Sequence, residues 1–310
     1  MQITPIQASD SLSLRLGVDV RIKRDDLLPG IGGGNKVRKI EYILREAIEQ
    51  DARSLVTHGG TQSNHARIVA LKAAELGWRC KLILHGEPSE MDRKTGNLLL
   101  MDLAGAEVQI VPGELMMAAV DKALVELEKD GSRPFNILGG GHSVAGARAY
   151  ADAMTEVADQ LSEEGWIPDT IVVPSGTGST QAGIVVGIHR LGWPTRVIGI
   201  SVGRPNTRGR NVVEESCTEL VNFLGLSPLE RPIDFRDDWL CGGYEKVNAH
   251  ILSTIRMVAQ TAGLILDPTY TGKAFTGLMD IAQNGEIARG EKVLFWHTGG
   301  LLNLLSSTYF

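Results

Sequence analysis

Six short apolar runs rich in β-branched residues and Leu, at 54–58, 80–85, 107–111, 170–174, 196–202 and 293–297, constrain this chain more than any other feature. Most are separated by stretches with helical periodicity, at 63–77, 93–104, 115–129, 144–164 and 180–192. Strands joined through helix-length segments cannot form hairpins, so they pair in parallel and their crossovers cover both faces of the sheet. The pattern predicts an α/β fold of parallel sheets flanked by helices. With 310 residues, 43% of them hydrophobic, the chain is long enough for one large domain or two at roughly 150 residues each. It shows no repeat of 20–50 residues that would indicate a solenoid.

Charge and composition remove several function classes. Lys and Arg number 31 against 37 Asp and Glu, a net charge of -6, and no basic stripe is available to neutralise a nucleic-acid backbone. No unbroken run of about 18 apolar residues occurs. The opening MQITPIQASD lacks a basic segment followed by an apolar one, which predicts a cytoplasmic protein. Cys80, Cys217 and Cys241 are odd in number and far apart, unlike a disulfide framework or a zinc ribbon. His58 and His65 lack metal-ligand spacing, and no G-x-S-x-G elbow supports a serine hydrolase.

Glycines gather just after the apolar runs, at 59–60, 139–141, 176 and 178, and 299–300. In parallel α/β sheets that edge is where ligands bind, which predicts a cleft formed by several loops. GIGGGNKVRK at 30–39 resembles a phosphate-binding P-loop but fails it, with Asn35 where Gly belongs and Val37 where Ser or Thr belongs. The preceding RIKRDDLLPG is polar and turn-like, so no strand is expected before it. A helix starts here, with Asn35 as its expected N-cap and an apolar face through Ile40, Ile43, Leu44 and Ile48. Lys36 then falls in the first turn, where the helix dipole disfavours a cation. It is either a solvated surface lysine or one driven toward its neutral, nucleophilic form.

VPSGTGSTQAG at 173–183 follows a strand and opens a helix, and its backbone N–H groups and hydroxyls suit an anion. Gln181 stands where a dinucleotide fingerprint needs its third Gly, so a compact monophosphate is the better guest. In THGGTQSNHAR at 57–67, Ser63, Asn64 and His65 begin a helix, as simple caps or as site residues. DPTYTGKAFTGL at 267–278 places Tyr270 on a loop at the strand edge, where a phenol can stack on a ring or move a proton.

Taken in order, GGGNKVRKIEY, HGGTQSNHAR, PSGTGSTQAG, DPTYTGKA and HTGG resemble the pyridoxal-phosphate enzymes of the tryptophan-synthase-β-like fold, known as fold type II. Within them the chain is most similar to the 1-aminocyclopropane-1-carboxylate deaminase and D-cysteine desulfhydrase family, over about residues 20–300. The resemblance implies pyridoxal 5'-phosphate as cofactor, a homodimer, and two domains: a large one of residues 1–50 and 160–310 and a small one of 51–159, with the cleft between them. It implies that Lys36 carries the cofactor and that Asn64 meets its phenolic oxygen. Gly176, Thr177, Gly178, Ser179 and Thr180 would cradle the phosphate. Ser63 and His65 would hold the substrate carboxylate, Tyr270 would stack near the ring, Tyr244 would be a second substrate-side tyrosine, and Thr298 would lie near the ring nitrogen. Thr271, Thr298 and His65 are similar to the desulfhydrase branch, which places Thr271 on the substrate side. The implied reaction is β-elimination from a small amino acid, D-cysteine first, giving pyruvate, ammonia and hydrogen sulfide. L-cysteate sulfo-lyase, ring-opening deamination and β-replacement are the alternatives, and a non-catalytic metabolite-binding protein is the remote one.

Overall fold

The computed structural model of the protein describes residues 2–310. Its strands are β1 (Ile6–Ala8), β2 (Asp19–Arg24), β3 (Ser54–Gly60), β4 (Arg79–His85), β5 (Glu107–Val111), β6 (Pro134–Ile137), β7 (Thr170–Ser175), β8 (Arg196–Ser201), β9 (Asp234–Arg236) and β10 (Lys292–His297). They form a six-stranded sheet of order β1-β2-β10-β7-β8-β9 and a four-stranded sheet of order β5-β4-β3-β6. Every pairing is parallel except the edge pair β1 and β2. All six residues of β7, TIVVPS, are buried, as expected of a central parallel strand covered on both faces.

The six apolar runs all became strands, and four further strands arose where the pattern was weaker. The polar stretch read as a turn begins with the last four residues of β2, a correction with a clear cause. Val20 and Ile22 point into the core, while Lys23 is buried and satisfied. Its ammonium donates to Glu156 Oε1 at 2.5 Å, Gln160 Oε1 at 2.6 Å and the Thr4 carbonyl at 2.8 Å. A paired charge can occupy an interior strand position that hydropathy reads as surface. β1 and β9 have three residues each, too few to show a period.

Two helices cross the division expected from the sequence. The Asn35–Glu49 helix lays Val37, Ile40, Ile43 and Leu44 against Leu55, Leu82 and Ile137 of the four-stranded sheet. Its apolar stripe stops short of Ile48, which is 53% exposed. The Val144–Leu161 helix packs Met154 and Val157 against Ile184 and Ile188 of the Ser179–Leu191 helix, on the six-stranded sheet. Each helix therefore joins the unit next in sequence to the one expected, and stitches the two together.

At the seam lies a buried ionic cluster. Arg38 and Asp25 are both wholly buried, with Arg38 Nη2 donating to Asp25 Oδ1 at 2.8 Å and Nη1 to Glu156 Oε2 at 2.7 Å. Asp25 also accepts from Tyr150 Oη at 2.7 Å, Trp296 Nε1 at 2.8 Å and Thr4 Oγ1 at 2.9 Å. Burial alone would raise its pKa, but Arg38 and these donors outweigh it and hold the carboxyl below its ordinary value. Replacing one partner strands the other, so Arg38→Met should cost about 3–5 kcal/mol in urea unfolding. A loss under about 1 kcal/mol, the range of an exposed pair, would contradict this assignment. Because the Asp25 pKa is depressed on folding, its contribution is full above the unfolded value of about 4 and is lost as the pH falls through the native one.

Candidate active site

The carboxyl ends of β3, β7, β8 and β10 open into one cleft of about 570 Å³ between the two sheets. Lys36, Ser63, His65, Gly176, Thr177, Gly178, Thr180, Tyr244, Tyr270 and Thr298 line it together. Its volume is that of a small-molecule site.

Lys36 reaches the cleft because the chain before it is held backbone to backbone. Gly34 has φ +100°, and a Cβ there would stand 2.8 Å from the Thr298 carbonyl. The Asn35 N–H donates to that carbonyl at 3.0 Å. Asn35 is the first helical residue and not the cap expected from the sequence. Its side chain instead donates to Thr180 Oγ1 at 3.1 Å and accepts from Lys36 Nζ at 3.2 Å. Burial lowers the Lys36 pKa to about 8. One turn later Lys39 is also buried in the cleft wall, and burial first, then the neighbouring Lys36, drives its pKa well below that of an ordinary lysine. Its amine is committed to Ser179 Oγ at 2.8 Å and to the Gly140 carbonyl at 3.3 Å. Among the described residues the Lys36 amine bonds to Asn35 alone, which leaves it the freer of the two.

The 176–180 loop runs from β7 into the Ser179–Leu191 helix through Gly178, at φ +95°. Four of its five predicted residues line the cleft; Ser179 does not, since its hydroxyl faces Lys39 behind the wall. Arg204, which the sequence reading missed, also lines the cleft and donates to the Gly176 carbonyl at 2.9 Å. Its only signal was position, just past the end of β8. Lys36, Lys39 and Arg204 face a cleft with no Asp or Glu among its described lining residues. With a helix N-terminus at its floor, this is an environment for an anion.

Ser63 caps the Asn64–Leu76 helix by accepting from the Ala66 N–H at 3.1 Å. A hydroxyl acting as acceptor keeps its own proton, so the cap and a cleft donor are compatible. His65 is buried with Nε2 3.0 Å from Thr57 Oγ1. The Thr57 proton is committed to the Ile137 carbonyl at 2.6 Å, so Nε2 must be the donor and Nδ1 carries the lone pair. Burial, followed by Lys36 and Lys39, keeps this ring neutral. His58, which opens the HGGTQSNHAR run, lines the cleft as well, as do His85 and His142, which no motif marked.

Asn64 and Thr271 are not brought to the cleft lining. Asn64 Nδ2 donates to Asn303 Oδ1 at 2.5 Å and its Oδ1 accepts from Asn97 Nδ2 at 3.0 Å. One Nδ2 hydrogen and one Oδ1 lone pair of Asn64 are left over by these bonds. Thr271 is wholly buried, and its hydroxyl donates to Asp267 Oδ1 at 2.7 Å and accepts from the Asp267 N–H at 2.9 Å. It supports the turn instead of touching substrate, because the buried Asp267 carboxylate, also bound by the Tyr270 N–H at 2.9 Å, needs its donors. The Tyr244 and Tyr270 hydroxyls hydrogen-bond to each other, with ring centroids 5.9 Å apart in an edge arrangement. Burial raises both pKa values, so these phenols donate protons and do not ionise.

Comparisons with known proteins agree with this geometry. A family model for pyridoxal-phosphate dependent enzymes matches residues 1–299. A Pyrococcus furiosus protein provisionally named a 1-aminocyclopropane-1-carboxylate deaminase is 42% identical over 96% of this chain and 89% of its own length. The D-cysteine desulfhydrase of Serratia proteamaculans is 35% identical over 96% of this chain and 91% of its own. The crystal structure of an ACC deaminase homologue superposes with a TM-score of 0.89 at 38% identity, covering 98% of this chain and 91% of the other. The chain belongs to the pyridoxal-phosphate-dependent enzyme family, fold type II, among the relatives named 1-aminocyclopropane-1-carboxylate deaminase and D-cysteine desulfhydrase.

Proposed function

We propose that this enzyme is a lyase that eliminates the β-substituent of a small amino acid, D-cysteine first. One D-cysteine and one water would give pyruvate, ammonia and hydrogen sulfide. The observation that carries this reading is the absence of a carboxylate among the described cleft-lining residues. Thr298, which the resemblance puts near the ring nitrogen, lies in the lining and offers no acid, and Asp267 is committed to the turn beneath. Without that acid the electron sink is weaker. Loss of a good leaving group from the β-carbon needs less of it than opening a cyclopropane ring does.

The residues present fit the cofactor. The cationic cleft, the helix N-terminus behind Gly176–Thr180 and a lysine with a pKa near 8 are the donor set that a phosphate and an aldehyde require. Gly176, Thr177, Gly178, Ser179 and Thr180 would hold the phosphate, Ser179 through its backbone, with Tyr270 and Thr298 beside the ring. When bound, pyridoxal phosphate supplies the electron sink for charge left on the α-carbon. Lys36 would anchor it, and its Nζ would take the α-proton of the substrate. The Ser63 hydroxyl, at its helix start, orients the substrate carboxylate beside the neutral His65 ring. One phenol of the Tyr244 and Tyr270 pair delivers a proton to the departing sulfur.

Keto acid and sulfide measured after incubation with D-cysteine, L-cysteine, L-cysteate, D-serine and the cyclopropane amino acid test the reading. Pyruvate with sulfide from D-cysteine is expected, and 2-oxobutyrate from the cyclopropane substrate as the dominant product would overturn it. Lys36→Ala should lower kcat/KM by about 10³ or more, the scale of a lost general base. Because only the neutral amine attacks the aldehyde, cofactor capture by the apoprotein should speed up as pH rises through about 8 and level off above it. A rate still climbing past pH 10 would mark Lys36 as an ordinary, solvated lysine.

A further inference from the structure

Lys273 is the third residue of the Thr271–Gln283 helix, three residues beyond Tyr270, and its side chain is wholly buried. Its ammonium donates to three carbonyls, Gly243 at 2.9 Å, Leu240 at 3.1 Å and Val202 at 3.2 Å. No carboxylate pairs with it among the described residues. Asp267 and Glu245 favour its charge only from a distance, and a buried charge without a paired carboxylate is costly, so the arrangement calls for a reason.

The three carbonyls belong to the two segments that hold Tyr244. Leu240 and Gly243 precede it in the loop, and Val202 precedes Gly203, where an added Cβ would stand 3.2 Å from Tyr244 Cβ. Within the loop the Gly243 N–H donates to the Leu240 carbonyl at 3.1 Å and the Lys246 N–H to the Gly243 carbonyl at 3.3 Å. Cys241 at φ 55°, Gly242 at 87°, Gly243 at 155° and Glu245 at 62° run through the left-handed region, which local preferences do not stabilise. Meanwhile the Lys273 backbone lies in the same helical turn that starts at Tyr270. One ammonium therefore ties both tyrosines of the phenol pair to one point.

We propose that Lys273 is a positioning residue that serves as an internal monovalent cation, and that the three carbonyls around it form a latent site for potassium or ammonium. The proton count supports the charged form: an ammonium has three donors for three carbonyls, whereas a neutral amine has two and would turn a lone pair on the third. Burial lowers the pKa to about 8, which leaves the charged form dominant at neutral pH. Carbonyl oxygens are also the ligands that replace water around potassium elsewhere, and a free ammonium ion presents the same head group as the side chain.

The importance of the site to turnover rests on the proposed role of the phenol pair; the existence of the site does not. The test is Lys273→Ala holoenzyme in buffer whose only cation is tetramethylammonium, too large to enter. Activity should fall about 100-fold, the scale of a displaced catalytic group, and ammonium or potassium should restore it while leaving the wild type unchanged. The same two ions should raise the melting temperature of Lys273→Ala and not that of the wild type or of Lys273→Met, whose side chain fills the space. The melting arm reads the site even if D-cysteine proves not to be the substrate. Wild-type behaviour of Lys273→Ala without a small cation, or a variant that neither ion improves in activity or in melting, would overturn the proposal.

Discussion

The ion cluster of Asp25, Arg38 and Glu156 is the contact on which the rest of the structure depends. Arg38 sits on the helix that covers the four-stranded sheet, Asp25 follows β2 of the six-stranded sheet, and Glu156 lies on the Val144–Leu161 helix. Trp296 of β10 and Tyr150 donate to the same carboxylate. Ion pairs of this kind add little net stability over a well-packed apolar cluster, yet breaking one is expensive. Here the geometry gives a specific benefit. Arg38 is two residues from Lys36, so the cluster that joins the sheets also sets where the cleft amine emerges.

From that anchor the site follows outward. Gly34 lets the Lys36 segment lie against Thr298, Asn35 reaches across to Thr180, and Lys39 braces Ser179. The anion loop and the lysine are thus parts of one hydrogen-bonded wall. On the other side, Asp267 gathers the Tyr270 turn and Lys273 gathers the Tyr244 loop, so the phenol pair is also held from behind. Two buried charges, each satisfied by backbone, position groups whose own local conformations are irregular. Such support keeps a site within the narrow tolerance that catalysis demands.

Much of this was legible in the sequence because the signals are local. Six apolar runs and the glycines behind them located the sheets and the edge where loops converge, and the PSGTGST loop announced an anion site by its composition. What stayed hidden depends on distant partners. β2 looked like a turn because Lys23 and Asp25 are polar, and only Glu156 and Arg38, far away in sequence, make them interior residues. Asn64 gave no sign in the sequence that it shares its amide with Asn97 and Asn303, nor Thr271 that its hydroxyl is spent on Asp267. Arg204, His85 and His142 carry no motif at all; only the fold gathers them.

The central claim is that Lys36, and not Lys39, holds the cofactor. Burial lowers the pKa of both amines, so charge alone does not choose between them. Hydrogen bonding favours Lys36, because the Lys39 amine already serves the Ser179 hydroxyl and the Gly140 carbonyl. Borohydride reduction of the holoenzyme followed by peptide mapping separates the two directly. The account predicts the reduced pyridoxyl group on Lys36; finding it on Lys39 would contradict it.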